Sequence, residues 1–322
     1  MSIDRHLRDD DPTFPKLLEE IKSFDSGYAG EQSLHYYLGT VLEPHFQALQ
    51  GIRLLLDHKH AFQMDHILIF SKFILIVEVK NLTGIVTIDH ELGLMYQEKS
   101  DGSTKTYQDP IAQVHKQAYH FRSWLHERGY TGMPVENLVT FVNRNVVLKR
   151  ESGVELDPRI TTGYKIGDLI NQLINQYKDC YHLKNTHQLL REIKRSHTPL
   201  EVNHMDKLNL TPRNLVPGVN CPDCHKVMLN YRSGKWHCSK CGLVSRDAHI
   251  SALKDYFLIF GPEITNKKLK YWLRLDSADV AYQIIKKLNL RSSGKNRYRK
   301  YRLNYSIDSD FSYLMKHRPY KR

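Results

Sequence analysis

Three charged side chains stand at the ends of two apolar runs, where residues of these types could bind a metal ion beside a phosphate. The stretch reads QMDHILIFSKFILIVEVKNLTG. Its runs at 66–70 and 73–79 are rich in Ile, Leu, Val and Phe, which predicts two short buried strands. Asp65 precedes the first run, and Glu78 and Lys80 lie at the end of the second. Charged residues are seldom buried unless they are paired or bind an ion.

The expected hairpin register brings these charges together. If the Ser-Lys dipeptide between the runs forms a two-residue loop, residue 70 pairs with residue 73 and Asp65 lies opposite Glu78. Because side chains alternate between the faces of a sheet, Asp65, Glu78 and Lys80 then share one face. Facing carboxylates repel each other unless a cation lies between them, and a hard divalent cation is the natural candidate. The alternative is that the charges are ordinary solvated strand ends.

Four blocks of the first half of the chain carry a family resemblance. They resemble, in the family's own order, the nuclease-related domain (NERD) family of the PD-(D/E)XK nuclease superfamily: GYAGEQSLHYYL at 27–38, MDHILIF at 64–70, IVEVKNLTGIV at 76–86 and DPIAQVHKQAYHF at 109–121. One departure is Met64, which stands where the superfamily's name places proline. The resemblance implies an α/β restriction-endonuclease-like nuclease domain.

The resemblance also implies a set of catalytic residues. They are Glu31, Asp65, Glu78, Lys80, Gln113 and Gln117. Asp65, Glu78 and Glu31 would hold one or two Mg²⁺ or Mn²⁺ ions, and the backbone carbonyl of Val79 would add an oxygen ligand. Lys80 would orient or help to deprotonate the attacking water and would offset negative charge that develops on the phosphate.

The two glutamines are expected on one face of a helix. Asp109 is suited to cap that helix and Pro110 to begin it. Because Gln113 and Gln117 are four residues apart, they would point in the same direction. They would then contact phosphate or the attacking water, or, in the alternative interpretation, they are ordinary solvated helix positions.

Two CxxC pairs predict a structural zinc site. The four cysteines are Cys221, Cys224, Cys238 and Cys241, with 13 residues between the pairs. Two such pairs complete a tetrahedral site of four thiolates. The residues between the pairs predict the hairpin of a zinc ribbon, with its turn near Ser233-Gly234. His225 and His237 are interpreted as neighbours of the ligands, and Cys180 as an ordinary helix residue. A disulfide or a redox-active thiol pair is the alternative.

The residues after the ribbon resemble a winged helix-turn-helix. A short helix over 265–273, a recognition helix over 277–288 and a wing over 290–304 make up this α+β module. Its expected nucleic-acid-binding residues are Lys286, Lys287, Arg291, Lys295, Arg297, Arg299, Lys300 and Arg302. A small helical bundle with a basic hairpin would give the same pattern.

The basic residues are concentrated in the C-terminal third of the 322-residue chain. Its net charge is +12, and the segment 211–322 carries 23 Lys and Arg against 8 Asp and Glu. The remaining residues are near neutral, so the segregation predicts a polyanionic partner that binds the C-terminal part. A basic surface that only aids solubility would not need such localisation.

The sequence therefore predicts four segments. They are a nuclease-related domain at 1–197, a linker at 198–217, a small zinc ribbon at 218–245 and a basic winged-helix-like module at 246–322. A strand over 137–143 and helices over 166–179 and 186–197 would complete the first domain. Three prolines and little periodicity indicate the linker.

The expected function is that of a metal-dependent nuclease that hydrolyses phosphodiester bonds in nucleic acid, with DNA as the expected substrate. The alternative is a non-catalytic DNA-binding protein or transcriptional regulator that uses the zinc ribbon and the winged helix. No apolar run approaches the ~20 residues that a membrane span requires, and the N-terminus is acidic. A cytoplasmic protein without a membrane partner is therefore expected.

Overall fold

The chain folds into two compact units. The computed structural model describes residues 2–8, 10–41, 46–57, 60–149, 155–180, 185–200, 203–225 and 228–311. The first unit spans Lys22–Glu201, and the second combines Met1–Ile21 with Val202–Arg322. None of the described helices is long and apolar enough to cross a membrane.

The first unit has nine strands and four helices among its described residues. The strands are β1 (Gln47–Leu55), β2 (Ala61–Ile69), β3 (Ile74–Lys80), β4 (Gly84–Asp89), β5 (Leu94–Glu98), β6 (Thr104–Gln108), β7 (Val135–Phe141), β8 (Val146–Lys149) and β9 (Ile160–Thr162). The helices are α1 (Phe14–Tyr37), α2 (Pro110–Glu127), α3 (Ile166–Gln176) and α4 (Thr186–Ser196). The boundary between the two units falls within α1.

A five-stranded mixed sheet lies at the centre of the first unit. Its strand order is β1-β2-β3-β7-β9, with β1, β2 and β3 antiparallel and β7 and β9 parallel to β3. Ile74 and Ile76 of β3 pack with residues of α2 and α4, whereas Leu75 and Val77 pack with residues of α1 and α3. Helices therefore cover both faces, and the prediction of an α/β domain is confirmed. A second sheet has the order β6-β5-β4-β8.

The predicted register of the first hairpin is confirmed. Ile69 pairs with Ile74 and His66 with Val77, as expected when residue 70 pairs with residue 73. One step further along the strands, Glu78 follows Val77. β2 begins earlier than predicted, at Ala61, because it also pairs with β1, a strand that the apolar pattern did not show.

The remaining predicted elements of this unit form within a few residues of their expected bounds. The strand expected over 137–143 is β7, and the helices expected over 166–179 and 186–197 are α3 and α4. Cys180 is the exception, since it lies beyond the end of α3 and is exposed.

The second unit contains short elements around its own core. Its strands are β10 (Asn230–Arg232), β11 (Lys235–His237), β12 (Val244–Ser245), β13 (Glu263–Thr265), β14 (Arg291–Ser293) and β15 (Lys300–Arg302). Its helices are α5 (His204–Lys207), α6 (His249–Phe260), α7 (Asn266–Trp272), α8 (Ala278–Lys287) and α9 (Ile307–Asp310). The sheets have the orders β10-β11-β12 and β13-β15-β14.

The hairpin between the two cysteine pairs turns where the sequence predicts. Arg232 of β10 pairs with Lys235 of β11, which leaves Ser233 and Gly234 as a two-residue loop. Both loop residues have positive φ, 48° and 78°. This is the backbone that a type I′ turn requires, and glycine adopts it at the least cost.

The predicted boundaries of the first domain and the linker differ from the structure. Residues 1–21 belong to the second unit, where Arg5 forms an ion pair with the buried Asp255 and His6 Nε2 lies 3.3 Å from Asp255 Oδ2. The segment expected as a linker contributes buried apolar side chains to the same core: Met205, Leu208, Leu210 and Leu215. The prolines suggested a linker, but the apolar residues between them are anchored in the core.

The two helices expected near the C-terminus are present. α7 begins after Thr265, whose side chain accepts a hydrogen bond from Lys268 N, and α8 begins after Ser277, whose side chain accepts one from Asp279 N. The order along the chain is α6, β13, α7, α8, β14 and β15. The short strand β13 was not predicted; it pairs with β15 and holds the C-terminal hairpin against the helices.

Candidate active site

Glu78 lies at the centre of a hydrogen-bonded group at the end of β3. This residue is only 2% exposed. Lys80 Nζ donates to Glu78 Oε1 at 2.6 Å and to Gln113 Oε1 at 3.0 Å. Gln113 Nε2 donates to Glu78 Oε1 at 2.7 Å, and Gln117 Nε2 donates to Glu78 Oε2 at 2.9 Å. Both carboxylate oxygens of Glu78 are therefore fixed in position.

Helix α2 presents the two glutamines to the sheet. The Asp109 side chain accepts a hydrogen bond from Ile111 N at 2.8 Å, and Pro110 begins the helix, as predicted. Gln113 and Gln117 then lie one turn apart on the face that packs against β3. Gln117 is buried, so the interpretation of a solvated helix position does not apply to it. Both side chains contact Glu78 in this geometry.

Asp65 is only partly exposed and lies near two other carboxyl groups, those of Glu78 and Glu31. Its Oδ2 accepts a hydrogen bond from Val79 N at 3.0 Å. Burial of the carboxyl, together with the nearby negative charge of Glu78, raises the pKa of Asp65 to about 8, and Glu31 adds to the effect. A carboxyl whose ionisation is disfavoured by burial and by a neighbouring carboxylate is an arrangement that a bound cation relieves.

Glu31 joins this group from α1. Its Oε2 accepts a hydrogen bond from Gln50 Nε2 at 3.1 Å. Burial raises the pKa of Glu31, and the charge of Glu78 raises it further. The charge of Glu78 thus raises the pKa of both Glu31 and Asp65, in keeping with three carboxyl groups that α1, β2 and β3 carry towards one region.

The donor atoms of this region fit a hard divalent cation. They are carboxylate oxygens, which Mg²⁺ and Mn²⁺ prefer over nitrogen or sulfur ligands. Gln117 Oε1 is also buried, and it has no hydrogen-bond partner among the described residues. A buried oxygen of this kind can accept a hydrogen bond from a water molecule that is bound to the ion.

His66 is a part of the site that the sequence did not reveal. It lies beside Asp65 in β2 but is fully buried, and its Nε2 donates to the backbone carbonyl of Glu31 at 3.0 Å. Burial lowers the pKa of His66 to about 4, so the ring is neutral at pH 7 and its Nε2 carries the proton. His66 thus holds α1, and Glu31 with it, against the sheet. A lone histidine within an apolar strand was the only signal of this role.

Part of the chain matches a known protein family. The family model described as the nuclease-related domain, NERD, matches residues 26–142. These residues form a nuclease-related domain. The match covers a little over a third of the chain and includes all six predicted catalytic positions, from Glu31 to Gln117. No curated protein and no solved structure matches the chain significantly.

The four cysteines of the two CxxC pairs come together in the second unit. Cys221 Sγ lies 3.6 Å from Cys241 Sγ, and Cys224 Sγ lies 3.7 Å from Cys238 Sγ. All four sulfur atoms lie within 4.8 Å of one another, and among the described residues no other group of His, Cys, Asp and Glu meets this spacing. The three carboxyl groups of the candidate active site are therefore less tightly clustered than the thiols.

The geometry around the sulfurs suits thiolate ligands. Cys241 N donates to Cys238 Sγ at 3.4 Å, and backbone hydrogen bonds from Cys241 and Lys240 lower the pKa of the Cys238 thiol. A thiolate is the form that binds zinc. Neither His225 nor His237 belongs to the four-cysteine group.

We expect the purified chain to contain about one zinc ion bound by these thiols. Cys238→Ser should reduce the zinc content to near zero and lower the thermal stability of the second unit, because zinc binding contributes to folding. Cys180→Ser, which changes an exposed thiol outside the group, is the matched control and should retain the zinc. Elemental analysis of both variants checks this, and a zinc-free wild type would contradict it.

Most of the predicted nucleic-acid-binding residues are exposed around α8 and the hairpin of β14 and β15. The exposed set is Lys286, Lys287, Arg291, Lys295, Arg299, Lys300 and Arg302. Lys300 differs from expectation because its Nζ forms an ion pair with Glu263 Oε2 at 2.7 Å. The side chain of Arg297 lies outside the described residues. Tyr301, which lies between Lys300 and Arg302 in the sequence, is buried in the core.

Two further cations lie on the hairpin of β10 and β11. Arg232 and Lys235 face each other across its turn, and with His237 they line a cleft of about 540 Å³. Like charges directly opposite each other in a hairpin are unfavourable unless an anion balances them. Nothing in the sequence distinguishes this pair from other basic residues.

Proposed function

We propose that the chain is a metal-dependent nuclease that hydrolyses phosphodiester bonds in nucleic acid, with DNA as the expected substrate. The observation that carries the proposal is the group around Glu78. Its carboxylate is held by Lys80, Gln113 and Gln117, beside an Asp65 whose pKa is raised to about 8. The family match supports nuclease ancestry, and the sheet with helices on both faces is compatible with the restriction-endonuclease-like fold.

Each residue of this group has a role that follows from its contacts. Asp65 and Glu78, with Glu31 and the carbonyl of Val79, would hold Mg²⁺ or Mn²⁺. A metal bound there would lower the pKa of a coordinated water and stabilise negative charge on the phosphate. Lys80 places a cation within 2.6 Å of Glu78 Oε1, where it can orient the attacking water and offset charge on the phosphate.

The two glutamines then act as positioning residues. Each donates one amide hydrogen bond to Glu78, so together they fix the direction of its two oxygen atoms. The sequence had instead predicted that the two glutamines contact phosphate or the attacking water. A ligand held by hydrogen-bonded neighbours loses less freedom when it binds the ion.

The second unit would bring the nuclease-related domain to its substrate. Zinc at the four cysteines would be structural, because four thiolates leave no open ligand position. We propose a winged helix for the elements from α6 to β15, with α8 as the recognition helix and the hairpin of β14 and β15 as the wing. The exposed cations on these elements suit contacts with phosphates.

Cleavage of labelled nucleic acids tests this function. The full chain is incubated with single- and double-stranded DNA and with RNA in Mg²⁺, in Mn²⁺ and in a chelator. We expect cleavage with either metal and none with the chelator. If the protein binds DNA but cuts none of the substrates, the function is that of a non-catalytic DNA-binding protein or regulator.

The salt dependence of binding tests the second unit separately. Replacing both Lys286 and Lys287 with alanine should reduce the slope of log K against log salt by about 1 for each phosphate that is no longer neutralised. The same reduction is expected for unrelated DNA sequences, since binding to phosphates carries no sequence information. Lys165→Ala changes an exposed lysine of the first unit and is the control. An unchanged slope in the double variant would exclude α8 from the interface.

A further inference from the structure

A cleft of about 430 Å³ lies in the first unit beside the candidate active site. It is formed by α1, by the residue after β3 and by the connection from β7 to β8. Its lining residues are Ala29, Ser33, Tyr36, Tyr37, Asn81, Val142, Asn143, Arg144 and Asn145. None of them belongs to the proposed catalytic set.

The cleft is joined to the catalytic residues through the backbone. Asn81 directly follows Lys80, and Val142 N donates a hydrogen bond to Lys80 O at 3.0 Å. Gly30, which precedes Glu31, allows α1 to approach Asn81, since a Cβ on Gly30 would lie 2.5 Å from Asn81 Cβ. Asn81 and Val142, which are bonded to the backbone of Lys80 covalently and by a hydrogen bond, therefore also form part of the wall of the cleft.

The lining side chains combine an aromatic surface with one cation. Tyr36 is 75% exposed. Its ring packs edge to face against that of Tyr37, with 5.3 Å between the ring centroids. The ring centroid of Tyr37 in turn lies 5.4 Å from that of the exposed Tyr164. Arg144 is exposed and forms no ion pair with any described residue, and no carboxylate lines the cleft. An aromatic face beside an unpaired guanidinium suits a base and its phosphate.

The amide groups give the cleft a fixed polar wall. Asn143 Nδ2 donates to Asn81 Oδ1 at 2.8 Å, and Asn81 Nδ2 donates to the backbone carbonyl of Ser26 at 2.8 Å. Asn145 N donates to Asn143 Oδ1 at 3.0 Å, which orders the connection that carries Arg144. A binding surface fixed before the ligand arrives loses less entropy on binding.

We propose that this cleft binds an unpaired nucleotide of the substrate strand next to the phosphate that is cut. Tyr36 stacks on the base, and Arg144 pairs with a neighbouring phosphate. This assignment rests on the proposed nuclease function and extends it to a substrate class: single-stranded nucleic acid, or the unpaired end of a duplex. A base inside a duplex is stacked on both faces and offers none to Tyr36.

Fluorescence of a short single-stranded DNA tests the cleft without cleavage. The oligonucleotide carries 2-aminopurine, whose emission falls when it stacks on an aromatic ring. Binding is measured on the full chain in a chelator, so that hydrolysis does not interfere. Tyr36→Ala should abolish the quenching and weaken binding about tenfold, whereas Tyr36→Phe should retain both. Arg144→Gln should reduce the salt slope by about 0.7.

Two variants provide matched controls in the same unit. Tyr119→Ala removes another exposed tyrosine and Arg191→Gln another exposed cation, and both should bind as the wild type does. The proposal is overturned if the Tyr36 and Arg144 variants also bind as the wild type does. It is equally overturned if a fully paired duplex shows the same dependence on Tyr36.

The outcome is distinguishable from a failure of the nuclease function. Cleavage by the wild type with unaltered binding in the cleft variants would overturn the cleft alone. Loss of single-strand binding in these variants, with no cleavage by the wild type in any metal, would retain the nucleotide site and overturn the nuclease. Cleavage that retains its kcat and gains a higher KM in Tyr36→Ala would support both.

Discussion

Lys80→Ala is expected to slow metal-dependent cleavage by at least about 100-fold, with little change in nucleic-acid binding. The ammonium group lies 2.6 Å from Glu78 Oε1 and 3.0 Å from Gln113 Oε1, at the centre of the proposed site. Its removal takes away the cation that, in the proposed function, orients the attacking water and offsets charge on the phosphate. The effect should therefore appear in kcat, measured on a labelled oligonucleotide at saturating substrate.

Lys116→Ala is the matched control for this substitution. Lys116 lies on α2 between the two glutamines but is exposed, so its loss should leave the cleavage rate unchanged. A Lys80→Ala protein that cuts as fast as the Lys116→Ala protein would remove Lys80 from the mechanism. A rise in KM alone would instead indicate that Lys80 contributes to substrate binding rather than to the chemical step.

Asp65→Asn is expected to stabilise the metal-free protein while it abolishes cleavage. The unfolded chain ionises Asp65 above its ordinary pKa of 3.8, but the folded chain does so only above about 8. Between these values the unfolded state binds fewer protons, so the free energy of unfolding of the wild type falls as the pH rises. Asparagine does not ionise. The free energy of unfolding of Asp65→Asn should therefore exceed that of the wild type by near zero at pH 4 and by about 2–4 kcal/mol at pH 8.

Denaturant unfolding in a chelator at several pH values measures this difference. Asp179→Asn, a substitution of an exposed carboxylate in the same unit, is the control and should change stability little at any pH. Addition of Mn²⁺ should stabilise the wild type and the control but not Asp65→Asn, because the ion binds only the folded carboxylate pair. A destabilised Asp65→Asn protein at pH 8 would contradict the electrostatic account of the site.

The sequence predicted the parts of the site that depend on local periodicity. The alternation in β3 was enough to place Glu78 and Lys80 on one face, and the expected two-residue loop gave the register with β2. The cap at Asp109 and the spacing of Gln113 and Gln117 were enough to predict the face of α2. The CxxC spacing and the Ser233-Gly234 turn predicted the ribbon for the same reason.

The parts that the sequence did not reveal depend on contacts between distant residues. His66 and Gln50 fix Glu31 through hydrogen bonds that link α1 to β2 and β1, and neither residue forms a motif. The ion pair of Lys300 with Glu263 joins strands 37 residues apart. Residues 1–21 and the supposed linker belong to the core of the second unit, because apolar side chains too widely spaced for a helical pattern still meet in three dimensions.

Cleavage by identically purified wild-type, Asp65→Ala and Lys116→Ala proteins is the most direct test of the central claim. The account predicts that the wild type and Lys116→Ala cut labelled single-stranded DNA in Mg²⁺ or Mn²⁺, and that a chelator stops both. Asp65→Ala should be at least about 100-fold slower. Equal cleavage by all three proteins would assign the activity to a contaminant or to another site, and it would contradict a catalytic centre at Asp65, Glu78 and Lys80.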